Sequence, residues 1–172
     1  GDDAFRTAVK NYLEKHKFSN VETEDFLIEA RAASGQDLLD FEENWLNSPE
    51  FRYEEAIATL EEYPVIQRYK RTVGLRKLTF GQKAQKLFEL LALPDKYSGP
   101  EAIYQLADVS PEAAGRIYER AFYTNNPWVR QAIAQTVRKV PASMKTNYER
   151  LLNDDSYITR ELALMNLWSS FP

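Results

Sequence analysis

The sequence predicts an all-α protein, in which a helical N-terminal segment is followed by an α-solenoid, an α-α superhelix of stacked helix pairs. Long stretches of the 172-residue chain space their apolar residues three and four apart, which is the period of an α-helix. Alternating Val, Ile and Thr, the pattern of β-strands, is scarce, and the chain has only 6 Gly. The third observation is a repeat of about thirty residues in the C-terminal part.

Three helices are predicted within residues 1–51. The first helix carries an apolar stripe of Phe5, Val9, Tyr12 and Leu13. It ends near His16, where cationic side chains suit the negative end of the helix dipole. The second helix begins at the predicted cap Thr23 and is ended by Gly35, which can adopt the left-handed conformation. The third helix stops before Pro49. Its stripe consists of Leu38, Phe41 and Trp45.

The middle of the chain contains four more predicted helices. A fourth helix is marked by Tyr53, Ile57 and Leu60. Pro64 opens a fifth, which is short and basic. Thr79 and Gln82 form a capping-box pair, in which each side chain accepts a bond from the other residue's backbone N–H. The sixth helix follows with an apolar face of Phe80, Ala84, Leu87, Phe88 and Leu91. Ser98–Gly99–Pro100 opens the seventh.

A repeat is visible between residues 110 and 172. The tripeptide Tyr-Glu-Arg occurs at 118–120 and again at 148–150, and each copy is followed by a polar corner and a second helix. The corners are Asn125–Asn126 and Asp154–Asp155, whose second members are the predicted helix caps. Because one helix pair cannot bury its apolar face alone, such repeats are typical of α-solenoids. A non-repetitive bundle that contains two similar hairpins remains the alternative.

Both ends of the sequence lead us to expect a piece of a longer chain. It starts with Gly1 instead of Met, and the first helix has already begun at residue 4. The last helix carries apolar residues around most of its circumference, whereas a terminal solenoid repeat normally has a polar outer face. Because we expect the native N-terminus to lie outside this sequence, cytoplasmic and exported locations both stay open. No stretch approaches the roughly 18 apolar residues of a membrane span.

Residue types suited to catalysis or metal binding are few. The chain has one His, no Cys and no His-Glu-x-x-His, so a zinc site is not predicted. His16 is the only imidazole, and its place between two lysines favours an exposed residue at a helix end over a general base. Paired carboxylates such as Glu42–Glu43 point to different sides of an exposed helix and are interpreted as solvated. No catalytic, cofactor-binding or metal-binding residue is therefore assigned.

Charge is distributed unevenly along the chain. Residues 1–63 hold sixteen Asp and Glu against six Lys and Arg, whereas residues 64–172 hold ten against sixteen. The most basic run is RYKRTVGLRK at 68–77, a composition that can contact phosphates. Because the whole chain has a net charge of −4, we interpret this run as a solvated helix and connector, and we predict no nucleic-acid partner.

Residues 4–51 contain short motifs in a fixed order. The motifs are Tyr12–Leu13, Thr23 to Asp25–Phe26, Ser34–Gly35, Asp37–Leu38, Phe41 and Trp45. In this order and spacing, the segment resembles the end of the thermolysin-like catalytic domain in the aminopeptidase N and leukotriene-A hydrolase family of zinc metallopeptidases. Ser48–Pro49–Glu50–Phe51 departs from the family, because it lacks the glycine of the family's Pro-Gly-x-Pro. The departure argues against a following β-sandwich and for direct passage into helices.

The resemblance implies a division into three parts. Residues 1–51 would be the last helices of the catalytic domain, 52–77 a helical connector, and 78–172 a truncated, HEAT-like helical C-terminal domain. The family's His-Glu-x-x-His, distal Glu ligand, Gly-x-Met-Glu-Asn and catalytic Tyr have no counterpart here. The resemblance therefore implies an inactive fragment, with zinc in the parent enzyme. Its partners would be the missing catalytic domain of the same chain and the parent's peptide substrates.

Two functions are compatible with these patterns. The first is the non-catalytic C-terminal helical portion of a zinc-dependent aminopeptidase, which supports the catalytic domain and walls the peptide-substrate cavity. It predicts that the first three helices present an apolar surface. The alternative is an independent α-solenoid protein-interaction module, which predicts polar outer faces at both ends. A stand-alone hydrolase that uses carboxylates is a third possibility, and it would need two buried acidic residues in one cleft.

Overall fold

The computed structural model describes all residues from Gly1 to Pro172 and contains helices and no β-strand, which confirms the all-α prediction. The chain divides into two compact units, which we call unit 1 (Gly1–Ile57) and unit 2 (Ala58–Pro172). The boundary falls inside the segment 52–77 that the sequence analysis interprets as a connector, and it lies within helix α4 (Tyr53–Glu61).

Unit 1 is built on a pair of helices that pack against each other. Its elements are α1 (Asp2–His16), α2 (Thr23–Ser34) and α3 (Leu39–Phe41), which continues as a π-helical turn (Glu42–Leu46). The ring of Phe26 on α2 meets Phe5 and Tyr12 of α1 edge-on, at centroid distances of 6.2 and 5.4 Å. Edge-to-face contacts of this kind are favourable because a positive ring edge meets a negative ring face.

One predicted helix end in unit 1 is confirmed by the structure, and two differ from the prediction. Gly35 ends α2 in the left-handed conformation with φ of 65°, and its N–H donates to the Arg31 carbonyl at 2.9 Å. The cap of α2 is Glu22 and not Thr23, because Glu22 has the extended backbone that a cap needs and forms a capping box with Asp25. The predicted third helix widens after Phe41, where the Asn47 N–H reaches back five residues to the Glu42 carbonyl.

Unit 2 contains seven further α-helices. They are α5 (Pro64–Gly74), α6 (Phe80–Leu90), α7 (Ser98–Tyr104), α8 (Pro111–Phe122), α9 (Pro127–Thr136), α10 (Lys145–Glu149) and α11 (Tyr157–Ser170), joined partly by 3₁₀ turns at Leu75–Lys77, Ala142–Met144 and Arg150–Asn153. Helices α5, α7, α9 and α11 contact one another in succession, and so do α6, α8 and α10. Stacked helix pairs make contacts in this order, and the superhelical arrangement itself stays a prediction.

Three similar corners precede α7, α9 and α11. At each corner a side-chain oxygen accepts the backbone N–H two residues further on, and the accepting residues are Asp95, Thr124 and Asp154. Their spacing of 29 and 30 residues extends the repeat seen in the sequence by one unit. Asn126 caps α9 as predicted, whereas α11 is capped by Ser156 instead of Asp155. At that corner Asp154, and not Asp155, accepts the backbone N–H of Ser156. The cap is therefore Ser156, one residue later than predicted.

The repeated Tyr-Glu-Arg has a physical explanation in the structure. Tyr118 and Tyr148 are buried, and burial raises the pKa of the Tyr118 hydroxyl to about 12. The arginine of each copy stacks on an aromatic ring from an earlier part of the chain. The Arg120 guanidinium lies 4.3 Å from the ring centroid of Phe88 on α6, and that of Arg150 lies 4.5 Å from Tyr123 after α8. In each copy, therefore, the tyrosine packs in the core and the arginine makes a cation–π contact.

Candidate functional site

His16 is not arranged as a catalytic base. It was expected to be exposed, but it is half-buried, because its ring packs 5.4 Å from that of Tyr12. Its Nε2 atom is buried and has no hydrogen-bond partner. A general base needs a proton donor within hydrogen-bond reach and usually a group that orients the ring. Neither is present at His16, so the structure gives this imidazole no chemical partner.

The buried acidic side chains of unit 2 are partners of arginines. Nowhere do three His, Asp or Glu side chains come together as a metal site would require, so the residues present do not fit the zinc ion of the resembled family. The two buried carboxylates of unit 2 are each held by an arginine. Glu101 accepts two bonds from Arg76, at 2.6 and 2.8 Å, and Asp154 accepts one from Arg130. Arg76 joins the turn after α5 to α7, and Arg130 joins α9 to the corner before α11.

Asp95 is the half-buried acid at the corner before α7. Partial burial acts to raise its pKa, but the N–H groups of Ser98 and Tyr97 and the guanidinium of Arg68 outweigh it and lower the pKa below the usual value. Arg68 Nη1 lies 3.0 Å from one carboxylate oxygen. The other oxygen accepts the two backbone N–H groups at 2.6 and 3.0 Å. Both carboxylate oxygens are bonded within the fold, so we interpret Asp95 as a structural residue.

The most distinctive surface of unit 1 is apolar. We call it the α1–α3 apolar face, and it consists of Phe5, Val9, Leu13, Leu38 and Phe41, which line two adjoining shallow depressions. Phe5 is 62% exposed, Leu13 59% and Phe41 47%. Only Ala8 and Leu27 are buried apolar residues in the whole unit. Unit 1 thus exposes more large apolar side chains than it buries, as expected for helices that present an apolar surface.

Phe18 adds a strained residue to the same unit. It is the only non-glycine residue with a positive φ, at 64°, and its side chain is fully exposed. Together with Lys17 it forms a tight turn that the Ser19 N–H closes onto the His16 carbonyl at 3.1 Å. The third position of such a turn strongly favours Gly or Asn. An aromatic residue there carries backbone strain with no packing in return, and strain of this kind is concentrated at functional positions. Sequence reasoning missed Phe18.

A second apolar surface lies on α11. Tyr157, Ile158, Leu164, Met165 and Trp168 are all exposed, while Thr159, Ala163 and Leu167 are buried on the opposite side of the same helix. This helix is therefore apolar around most of its circumference, as the sequence predicts. Its length and composition, and those of every other helix, are insufficient to cross a membrane.

Comparison with known proteins adds no relative to this description: no family model, curated protein or solved structure matches the chain.

Proposed function

We propose that this chain is the non-catalytic C-terminal helical portion of a zinc-dependent aminopeptidase. In this proposal, unit 1 packs against the catalytic domain, and the helices of 78–172 form a HEAT-like stack that walls the peptide-substrate cavity. The zinc ion and the catalytic residues belong to the catalytic domain, and the chain described here contributes support and shape. The motifs of residues 4–51 that resemble the aminopeptidase N and leukotriene-A hydrolase family motivate the proposal.

The observation that carries the proposal is the imbalance between buried and exposed apolar residues in unit 1. Full burial of a Phe or Leu side chain stabilises a protein by roughly 1.5–3 kcal/mol. The α1–α3 apolar face leaves about half or more of three such side chains in water, and unit 1 has only Ala8 and Leu27 as its own core. An exposed apolar face formed by neighbouring side chains is typical of a surface that binds another protein region. A large catalytic domain would supply that region.

The strained turn at Phe18 supports the same proposal. A left-handed backbone conformation costs an L-residue other than Gly or Asn roughly 1–2 kcal/mol. The cost is recovered when the exposed ring enters a pocket on a partner, because a large aromatic side chain contributes strongly to an interface. Phe18 is therefore the side chain that we expect to anchor unit 1 to the catalytic domain.

The first step of the experiment is to read the coding sequence upstream and downstream of the 172-residue chain. The proposal requires an upstream His-Glu-x-x-His followed by a distal Glu. The protein extended to include that segment should bind one zinc ion and hydrolyse aminoacyl-4-nitroanilides, whereas the 172-residue chain should do neither. Upstream sequence without these motifs, or turnover by the 172-residue chain with stoichiometric zinc, contradicts the proposal.

Variants of the extended protein test the role of the apolar face. Phe5→Asp and Phe41→Asp should each lower its thermal stability, because they place a carboxylate in the proposed interface at a cost of about 2 kcal/mol or more. Tyr63→Asp is the matched control, since it changes an aromatic residue of unit 2 with similar exposure, 58%, outside the face. Equal effects at all three positions count against a special role for the face.

The alternative function is an independent α-solenoid module that binds a protein partner. The succession of contacts α5–α7–α9–α11 and α6–α8–α10 favours it. The exposed Leu164, Met165 and Trp168 on α11 count against it, because a finished solenoid normally has a polar outer face. The two functions differ in the flanking sequence, since the module requires no metallopeptidase motif.

A further inference from the structure

The basic run of residues 68–77 forms one wall of a groove in unit 2. Helix α5 and the turn after it contribute Arg68, Arg71 and Leu75, and the opposite wall comes from α6 and the residues that follow it, with Lys86 and Leu93. The groove has a volume of about 430 Å³. Small-molecule sites in proteins occupy about 300–1,000 Å³, so this groove is large enough for a ligand of the size of one amino acid.

The groove has an apolar floor. Leu90 is buried there with 5% of its surface exposed, and Leu75 and Leu93 are half-buried, so their remaining apolar surface faces the open space. Thr72 is buried as well, and its hydroxyl donates within α5 to the Arg68 carbonyl at 3.0 Å. With that hydroxyl already bonded, the floor presents no free polar group to a ligand. It suits an aliphatic or aromatic group.

The rim of the groove carries one cation without a partner. Arg68 is bound to Asp95 at 3.0 Å, and Lys86 lies 3.5 Å from Glu89, which also lines the groove. Arg71 is exposed and makes no salt bridge and no side-chain hydrogen bond. Because Arg68 and Arg71 are three residues apart on one helix, their side chains lie on the same face. The charged side chains around the groove therefore carry one more positive charge than negative charges, next to the apolar floor.

We infer that this groove binds a small carboxylate that carries an apolar group, with the carboxylate on Arg71 and the apolar group on the leucines. A guanidinium offers two parallel N–H donors that match the two oxygens of a carboxylate. The ligand chemistry fits the C-terminus of a peptide with an apolar last residue, and it equally fits a medium-chain fatty acid. This inference goes beyond the proposed function and does not rest on it, because it concerns unit 2 alone.

Titration of the complete chain with N-acetyl-L-phenylalanine, followed by two-dimensional NMR, tests the inference. We expect saturable binding with a Kd of about 1 mM and signal changes centred on Leu75 and Leu93. N-acetyl-L-phenylalaninamide has the same ring and no charge, and it should bind about tenfold more weakly. Octanoate distinguishes the sources: tighter binding than N-acetyl-L-phenylalanine assigns the site to fatty acids, and weaker binding assigns it to peptide C-termini.

Two variants and one control make the test specific. Arg71→Gln should weaken binding of N-acetyl-L-phenylalanine about tenfold. Leu93→Trp should fill the groove and abolish binding while circular dichroism stays that of a folded helical protein. Arg160→Gln removes an exposed arginine on α11, outside the groove, and should change Kd by less than about twofold. Absence of saturable binding below ~20 mM, equal binding of acid and amide, or equal effects of the two arginine variants would overturn the inference.

Discussion

Unit 1 and unit 2 are both helical, but different contacts stabilise the interior of each unit. Unit 2 buries twenty-two apolar residues in one continuous cluster, whereas unit 1 buries only Ala8 and Leu27. Unit 1 relies on the edge-on rings around Phe26 and on exposed ion pairs such as Lys10–Glu14, each of which contributes little. The comparison teaches that similar apolar stripes in a sequence can encode one region with its own core and another that leaves most of its large apolar side chains exposed.

The largest expected effect comes from a deletion in the core of unit 2. Leu87 is fully buried, so Leu87→Ala should lower the free energy of unfolding by about 3 kcal/mol, through lost burial and the cavity left behind. Leu13→Ala in unit 1 removes the same atoms from a side chain that is 59% exposed, and it should cost less than about 1 kcal/mol. Urea unfolding of both variants measures the difference. Similar losses would show that unit 1 has a core comparable to that of unit 2.

Close packing inside unit 2 is tested by a pair of glycines. A Cβ atom at Gly99 would lie 2.6 Å from the Val129 side chain, so Gly99→Ala should destabilise the protein by about 2 kcal/mol because α7 and α9 must shift. Gly115 lies inside α8 with no atom near the added methyl group, and Gly115→Ala should stabilise by about 0.5–1 kcal/mol through helix propensity. Opposite signs in thermal unfolding are expected. A stabilised Gly99→Ala protein would mean that α7 and α9 are packed loosely.

The corner before α7 should make the stability of unit 2 depend on pH. The pKa of Asp95 is lowered in the folded protein, so its contribution is present above the usual value of about 4 and is lost as the pH falls through the folded-state pKa. Asp95→Asn should cost about 1 kcal/mol at pH 7. The gap between the two proteins should narrow as urea unfolding is repeated at decreasing pH below 4. A gap that stays constant would assign the loss to shape and not to charge.

The smallest expected effect is a gain in stability at the turn of unit 1. Phe18→Gly removes the strain of a positive φ, and it should stabilise the isolated chain by about 0.5–1 kcal/mol. Lys17→Gly is the control, because Lys17 has a φ of −57° that any residue adopts. It should be neutral or destabilising by a few tenths of a kcal/mol. A loss of stability in Phe18→Gly would mean that the ring already has a packing role in this chain.

Much of the fold could be predicted from local patterns. The helical period, the Thr79–Gln82 capping pair, the left-handed Gly35 and the cap Asn126 all depend on residues that are close in sequence, and all are present. The two misplaced caps, at Glu22 and Ser156, are one residue away from the prediction. The choice between neighbouring residues is made by which of them has the extended backbone, and composition does not reveal that.

The candidate surfaces were harder to predict, because exposure is a property of the packed structure. The stripe with Phe5, Val9 and Leu13 has the spacing of a core face, yet Phe5 and Leu13 remain exposed. The unusual conformation of Phe18 has no signal in the sequence, since aromatic residues are rarely found at that turn position. Arg68, Arg71 and Arg76 look alike in the sequence and differ in the structure by their partners. The carboxylates that bind Arg68 and Arg76 lie 27 and 25 residues away along the chain, so the sequence does not reveal which arginine has no partner.

The stacking of Arg120 on Phe88 and of Arg150 on Tyr123 has a mechanical consequence. Each guanidinium stacks on a ring from an earlier part of the chain, so a force applied at α11 must break the contact between Arg150 and Tyr123 before it strains the contact between Arg120 and Phe88. Pulled from that end, unit 2 should peel away one helix pair at a time, and its extension should advance in increments instead of in one sudden collapse.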